Sequence, residues 1–449
     1  MSADTIAAIS TPPGRGGLGV VRLSGPEALA IVERLLARRL EPRRATWAEL
    51  RDAEGALLDQ VVATSFPGPG SATGEDVVEI SAHGSPVLLQ ALLEAALAAG
   101  ARLADPGEFT RRAFLNGRLD LAQAEAIADL IAAHTLHQAR SAARQMGGSV
   151  ARLLRPAHDR LTQLIARLEA GIDFADDDVG VIADEVLSAE IAAVRAALEA
   201  LAAGFTRARA LREGLAVALV GRPNVGKSSL FNRLLERERA IVTAEPGTTR
   251  DLIEDSLDWE GLAVRLRDTA GIRPPAGEAE RLGIERSWQA AADADFVLAV
   301  FDASQPPGPD DRALLERLRT LPRALAVRNK SDLPASPAWA APEWSLAPAA
   351  LAVSARTGAG LDALRRAVRE AALPPAGADS DAITNLRHAR QIALALDHLG
   401  RAAAAAGRAP HEALLVDLYD ALHALDAITG QTTVEDILGI IFSTFCIGK

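Results

Sequence analysis

GRPNVGKS, residues 221–228, fits the pattern G-x-x-x-x-G-K-[ST]. The apolar run LAVALV (215–220) precedes it and SLFNRLLER (229–237) follows. Strand, loop and helix in that order predict a buried parallel strand that delivers a phosphate-binding loop to a helix start. Glycine lets backbone N–H groups close around phosphate oxygens, and the helix N-terminus adds its positive dipole end. Asn224, Val225, Gly226, Lys227, Ser228 and Ser229 form the expected phosphate-binding set. In it, Lys227 reaches the β- and γ-phosphates and the Ser228 hydroxyl ligates Mg²⁺.

Three more pieces follow in order. DTAG (268–271) comes after LAVRLR (262–267), so Asp268 faces Mg²⁺ and the Gly271 N–H faces the γ-phosphate, with Thr269 and Ala270 between them. NKSD (Asn329, Lys330, Ser331, Asp332) comes after ALAVR (324–328). A carboxylate at Asp332 accepts from guanine N1–H and the 2-amino group, whereas adenine presents an acceptor at N1 and repels it. SAR (Ser354, Ala355, Arg356) brings the Ala355 N–H to guanine O6. Four elements at this spacing specify GTP rather than ATP. Between the first and the third motif lies GTTRD (247–251), with Thr249 the candidate switch threonine that completes the Mg²⁺ shell. Thr243, Ala244, Glu245, Pro246, Gly247 and Thr248 extend that loop along the nucleotide. Arg250 reads better as a surface residue of a mobile loop than as a catalytic arginine.

The position after DTAG, where Ras-like enzymes carry a water-orienting glutamine, holds Ile272, and an apolar side chain orients no water. Another group must do so, and charge between the β- and γ-phosphates must be neutralised. The Asn224 side-chain carbonyl, with switch-loop carbonyls, is a candidate holder of a monovalent cation. Glu278 and Glu280 are the nearby acids.

The rest of the chain bounds the reading. Its 449 residues suit two to four domains. The apolar run Val87 to Gly100 carries Glu94, so no membrane span is expected, and the start MSADTIAAIS lacks the basic region of a secretory signal. A single cysteine, Cys446, excludes an intramolecular disulfide and predicts a reducing, cytoplasmic setting. Net charge is −11, and each block, 1–118, 119–211, 212–376 and 377–449, is acidic, which argues against non-specific nucleic-acid binding through a broad cationic face. Only Lys227, Lys330 and Lys449 among 48 basic residues are lysine; two lie in nucleotide motifs, which draws attention to the third.

Residues 1–118 read as α/β, with strands GVVRLSG (19–25) and EDVVEISA (75–82) and helices over 26–40 and 85–100. Residues 119–211 and 377–449 read as helical, and 212–376 as an α/β domain inserted between them, joined in part by LPPAGA (373–378).

GRPNVGKSS, GTTRD, DTAGIR followed by EAERLGIERS, and the terminal FCIGK together resemble the tRNA-modification GTPases of the MnmE (TrmE) type. TPPGRGGLGVVRLSG (11–25), GEDVVEISAHG (74–84) and DPGEFTRRAFLNGRLDLAQAEAIADLI (105–131) extend the likeness over the whole chain. It implies an N-terminal tetrahydrofolate-binding α/β domain, a helical domain and a Ras-like P-loop GTPase domain inserted into the helices. It implies a homodimer whose GTPase domains meet across K⁺, held by Asn224, Thr248 and the carbonyls of Thr243 and Glu245, with Glu280 positioning water. It implies a folate derivative (5-formyl- or 5,10-methylene-tetrahydrofolate) at Arg22, Glu79, Arg118 and Lys449; Arg118 stands where lysine is common in the family. An FAD-containing partner of the MnmG (GidA) type would form a heterotetramer or larger assembly with it and install an aminomethyl or carboxymethylaminomethyl group at C5 of the wobble uridine (position 34) of tRNA.

Cys446 stands three residues before Lys449, whose ammonium would favour a thiolate, so it joins Glu280 as a catalytic candidate; the bland alternative is an inert thiol on a tail. His134 and His137, without a third ligand, read as polar-face residues, and the acidic cluster Asp173, Asp176, Asp177 and Asp178 as a solvated loop. Two other readings stay open: a ribosome-assembly GTPase that binds RNA, and a folate-dependent transferase in which the GTPase is only regulatory.

Overall fold

The computed structural model describes residues 4–52, 54–173, 182–203, 205, 209, 212–236, 256–267, 294–321, 323–344, 350–372 and 384–431, together with 441, 442, 445 and 448. The chain forms two compact units, one of residues 1–128, 144–158 and 419–449, the other of 129–143 and 159–418.

The first unit is built on a six-stranded sheet in the order β3-β4-β5-β2-β1-β6. Its strands are β1 (Ile6–Ile9), β2 (Gly16–Ser24), β3 (Thr46–Arg51), β4 (Leu57–Phe66), β5 (Val77–Gly84) and the short β6 (Arg102–Leu103). All neighbours pair antiparallel except β1 with β6. Helices α1 (Ala28–Leu35) and α2 (Pro86–Ala98) bury their apolar sides with Val21, Leu23, Val61, Ala63, Val78 and Ile80. The two-residue period of a strand sends Arg22 and Glu79 to the opposite face. There α3 (Glu108–Leu115) contributes Phe109 to a small core with Ile6, Ala8 and Ala104. Helix α1 stops well short of the Leu40 expected from sequence, because Ala37 turns left-handed (φ 46°). Arg38 N–H then donates back to the Glu33 carbonyl, and Leu40 N–H to the Glu33 carboxylate, closing the helix end.

In the same unit the described C-terminal residues return to the sheet. Phe442 and Phe445 pack on Leu121 and Ala124 of α4 (Leu121–Ile131). The Ser10 hydroxyl donates to the Gly448 carbonyl at 3.0 Å. Gly448 has φ +96°, and a Cβ there would lie 2.3 Å from the Ile9 oxygen, so only glycine fits this crossing.

Helices continue with α5 (Leu136–Met146), α6 (Ser149–Asp173) and α7 (Asp184–Ala203). In the second unit the sheet runs β12-β11-β10-β7-β9-β8. Its strands are β7 (Leu215–Val220), β8 (Ser256–Trp259), β9 (Leu262–Arg267), β10 (Phe296–Asp302), β11 (Ala324–Asn329) and β12 (Leu351–Ala352). Only the β8–β9 hairpin is antiparallel. β7 and β10 are buried throughout, which is why they read as unbroken apolar runs rather than alternating ones. Helices α8 (Lys227–Glu236) and α10 (Leu361–Ala372) supply Leu230, Leu234, Leu364 and Val368 to one core. On a second core, α9 (Pro309–Leu318) packs with Phe301, Trp339 and Trp344. After β7 the chain builds β9 on one side and later β10 on the other, so β7 is the strand where winding reverses, the place where open α/β sheets bind ligands. Helices α11 (Leu386–Ala405), packed along α7, and α12 (His411–Thr429) follow. The chain thus joins an N-terminal α/β domain, a helical domain and a P-loop α/β domain set between helices in sequence.

Candidate functional site

The loop at the end of β7 is shaped by close backbone approach. Gly226 has φ +92°, and a Cβ there would sit 2.4 Å from Asn329 Nδ2. A Cβ on Gly221 would sit 2.4 Å from the Val300 oxygen. The loop therefore runs tight against β10 and β11 and opens onto the first turn of α8, whose N–H groups are the natural anion donors. Lys227 Nζ donates to the Gly221 and Arg222 carbonyls at 2.8 and 2.9 Å, which holds the ammonium inside the loop. Ser228 and Ser229 are exposed at the start of α8. This glycine-lined turn with an ammonium and a hydroxyl fits a Mg²⁺-bound nucleoside triphosphate.

The base-recognition motifs lock onto this loop through Asn329, which is buried. Its Nδ2 donates to the Val225 carbonyl at 2.9 Å, and its Oδ1 accepts from Ala355 N–H at 3.0 Å. One side chain thus ties the phosphate loop to the SAR turn. Asp332 Oδ1 accepts from the Ser354 hydroxyl at 2.6 Å, and that bond holds the Asp332 carboxyl below the usual carboxylate range. The Ser354 oxygen in turn accepts from Thr357 N–H at 3.1 Å. Ser331 N–H donates to the Val353 carbonyl at 3.0 Å, joining NKSD to the residue that precedes SAR. Arg356 is largely exposed, 4.0 Å from Asp332.

Lys330 takes the left-handed conformation (φ 64°), as does Asn224 (φ 65°). Lys330 Nζ donates to the Asn224 carbonyl at 3.0 Å and to Asp302 at 2.7 Å. Asp302 is buried at the end of β10. Burial works to raise its carboxyl, but bonds from Lys330 and from Ser304 outweigh it and hold it below the usual range. Arg222 turns its guanidinium to the fully buried Asp311 of α9, 3.4 Å away.

On the first unit's sheet, Arg22 and Glu79 are direct register partners on β2 and β5. Both bonds from Arg22, at 2.7 and 2.9 Å, go to Glu79 Oε1. The Arg22 guanidinium also lies 5.7 Å from the centre of the Phe109 ring. Arg118 is exposed, with its Cγ beside Gly74. A half-buried ion pair beside an aromatic ring offers both an acceptor and donors to a flat heteroaromatic ligand.

Comparison with known proteins covers the whole chain. The family model "MnmE helical domain" matches residues 121–446, and "GTP-binding protein TrmE N-terminus" matches 5–118. The tRNA modification GTPase MnmE of Koribacter versatilis is 51% identical over 457 residues, covering 99% of each chain. The chain belongs to the MnmE (TrmE) family. The MnmE of an Azoarcus species is 45% identical over 452 residues, covering 99% of this chain and 98% of its own. Among solved structures, the G domain of the T. maritima FeoB iron transporter is 29% identical, covering 35% of this chain and 98% of that one, with a TM-score of 0.25.

In this MnmE family member the described site residues fall into two sets. Asn224 to Ser229, Asn329 to Asp332 and Ser354 to Arg356 gather at the carboxyl ends of β7, β11 and β12. Arg22 and Glu79 meet each other, and Arg118 stands at the end of the turn after α3. Thr243 to Thr249, Asp268 to Gly271, Glu280, Cys446 and Lys449 lie outside the described residues. Sequence reading missed Asp302, which meets Lys330 of NKSD from β10, and Asp311, which meets Arg222 of the phosphate loop from α9. The only sequence signal for Asp302 is an acid closing the apolar run FVLAVFD (296–302). His134 is exposed and His137 half-buried, with no metal cluster around them among the described residues. Among the described residues no helix is long and apolar enough to cross a membrane.

Proposed function

We propose that this tRNA modification GTPase of the MnmE family hydrolyses GTP with Mg²⁺ and K⁺ and, as a homodimer with an FAD-containing MnmG (GidA)-type partner, modifies C5 of the wobble uridine of tRNA in the cytoplasm. The full-length match to MnmE relatives carries the reading. The guanine-side lock of Asp332, Ser354 and Asn329 supports its nucleotide half.

The chain's own residues divide the work. Asp332 accepts from the base, and Lys227 with the first turn of α8 gathers the phosphates; the Ala355 N–H, expected at guanine O6, is instead given to Asn329 Oδ1 at 3.0 Å. Ser228 and Thr249 would hold Mg²⁺; Asn224 and Thr248 with the carbonyls of Thr243 and Glu245 would hold K⁺; Glu280 would orient water. When bound, the two metal ions supply the positive charge that offsets charge building on the transferred phosphoryl group. Asn224 is exposed on the loop, and its own carbonyl is occupied by Lys330, which leaves its side chain for a cation. A reduced folate, when bound, supplies the one-carbon unit. Glu79 would accept from its ring, and Arg22, Arg118 and Lys449 would face its carboxylates. Cys446 is assigned no step. The domain division follows the same reading: 1–118 for folate, 119–211 and 377–449 for the helices, 212–376 for the nucleotide.

Nucleoside analysis of tRNA from a deletion strain tests the reading. The expected result is loss of the C5 modification at the wobble uridine, restored by the wild-type gene. Unchanged wobble uridines would remove the tRNA assignment.

A further inference from the structure

The two strands that lead to the nucleotide loops are held at their far ends by residues 129–138 of the second unit, which run from the end of α4 through a turn into the start of α5. β7 runs from Leu215 into the phosphate-binding loop, and β9 runs from Leu262 to Arg267, directly before Asp268 in sequence. The strands are parallel neighbours, with Leu215 paired to Val264. Just before β7, the Arg212 carbonyl accepts from Gln138 Nε2 at 2.9 Å. The Arg212 guanidinium makes two bonds of 2.7 Å to Asp129. Just before β9, the carbonyl of Gly261 accepts from the Thr135 hydroxyl at 3.2 Å.

These holding groups are buried and hydrogen-bonded among themselves. Thr135 and Gln138 are 4% and 8% exposed. Gln138 Oε1 accepts from His134 N–H and Thr135 N–H at 2.9 and 3.1 Å, and Gln138 N–H donates to the Thr135 oxygen at 3.1 Å. A buried amide with its acceptor and a donor both satisfied has one favoured position. Each strand lies between two neighbours in the sheet and is about 20 Å long at ~3.3 Å per residue, so a shift at its start is passed to the loop at its end.

We propose that Thr135 and Gln138 are positioning residues for GTP hydrolysis, acting through β7 and β9 on the loops that meet the phosphates. The brace works in both directions: the nucleotide bound at one end biases the segment 129–143 at the other. The proposal rests on GTP hydrolysis by this chain, so one arm of its test does not need turnover.

In the full-length protein, Gln138→Met keeps the side chain's length and removes its polar bonds. Thr135→Val keeps the shape and removes the hydroxyl, and Thr135→Ser keeps the hydroxyl. Steady-state kinetics should give a kcat about three- to tenfold lower in Q138M and T135V with KM for GTP within about twofold, and near-wild-type values in T135S. A purely structural role would lower the melting temperature and leave kcat alone well below it. In the second arm, hydrogen exchange across 136–143 should differ between the GDP complex and that with a non-hydrolysable GTP analogue in the wild type, and the difference should vanish in Q138M. Wild-type kcat in both Q138M and T135V, or exchange in the wild type that ignores the nucleotide, would overturn the proposal. Nucleotide-dependent exchange without any turnover would instead remove the hydrolysis reading and leave the brace standing.

Discussion

At the scale of single residues, the proposed choice of guanine rests on what Asp332 accepts and what keeps it in place. The Ser354 hydroxyl fixes one carboxylate oxygen, so the group meets the base already oriented. Asp332→Asn replaces an acceptor by a donor, which leaves guanine's 2-amino group facing another donor. GTP affinity should fall at least tenfold, roughly 1.4 kcal/mol or more, and xanthosine triphosphate, with an oxygen at that position, should bind better than to the wild type. Competition against a fluorescent guanine nucleotide measures both, and unchanged GTP binding would refute the assignment. Asp332 was legible in the sequence because NKSD carries its own spacing. Asp302 was not: its partner Lys330 lies 28 residues further on and one strand over, a contact that only the fold creates.

At the scale of elements, periodicity located the buried strands well. LAVALV, LAVRLR and ALAVR all became strands of one sheet, because long apolar runs bounded by motif loops have few other uses. Helix ends were less legible. The apolar pattern over 26–40 runs on past Leu35, but a left-handed Ala37 ends the helix, and no glycine announces it. The grip of residues 129–138 on two strand starts was equally hidden, since Thr135 and Gln138 look like ordinary polar-face residues until the hairpin turn at Gly261 is beside them. Between β10, β11 and the phosphate loop, the Asp302–Lys330 bond is a pH-sensitive clamp. Because the native Asp302 carboxyl is held below its unfolded value of about 3.9, its contribution to stability is full above that pH and is lost as pH falls through the native value. Asp302→Asn should therefore be less stable than the wild type at neutral pH and lose less further stability on acidification. Urea midpoints from pH 7 down to 3 should converge; parallel curves would show that Lys330 does not depend on the charge of Asp302.

At the scale of the whole molecule, the nucleotide set and the Arg22–Glu79 pair stand on separate sheets in separate compact units. A net charge of −11 with no basic block makes this a poor electrostatic partner for RNA on its own. The nucleotide motifs announce themselves by their spacing, and those within the described residues, 224–229, 329–332 and 354–356, gather at the carboxyl ends of β7, β11 and β12. The folate assignment of Arg22 and Glu79 rests on family likeness alone, since an arginine and a glutamate across two strands spell out no ligand by themselves. What distinguishes this GTPase from Ras-like ones is Ile272 in place of a water-orienting glutamine and Asn224 in the phosphate loop. Ile272 leaves the attacking water without that orienting group, and Asn224 offers a side-chain carbonyl to the monovalent cation proposed above as the balancing charge. Steady-state GTP hydrolysis by the purified full-length chain, compared in KCl and NaCl at equal ionic strength, tests this most directly. Turnover should be at least tenfold faster in KCl, a barrier difference of ~1.4 kcal/mol. Equal rates in the two salts would contradict it.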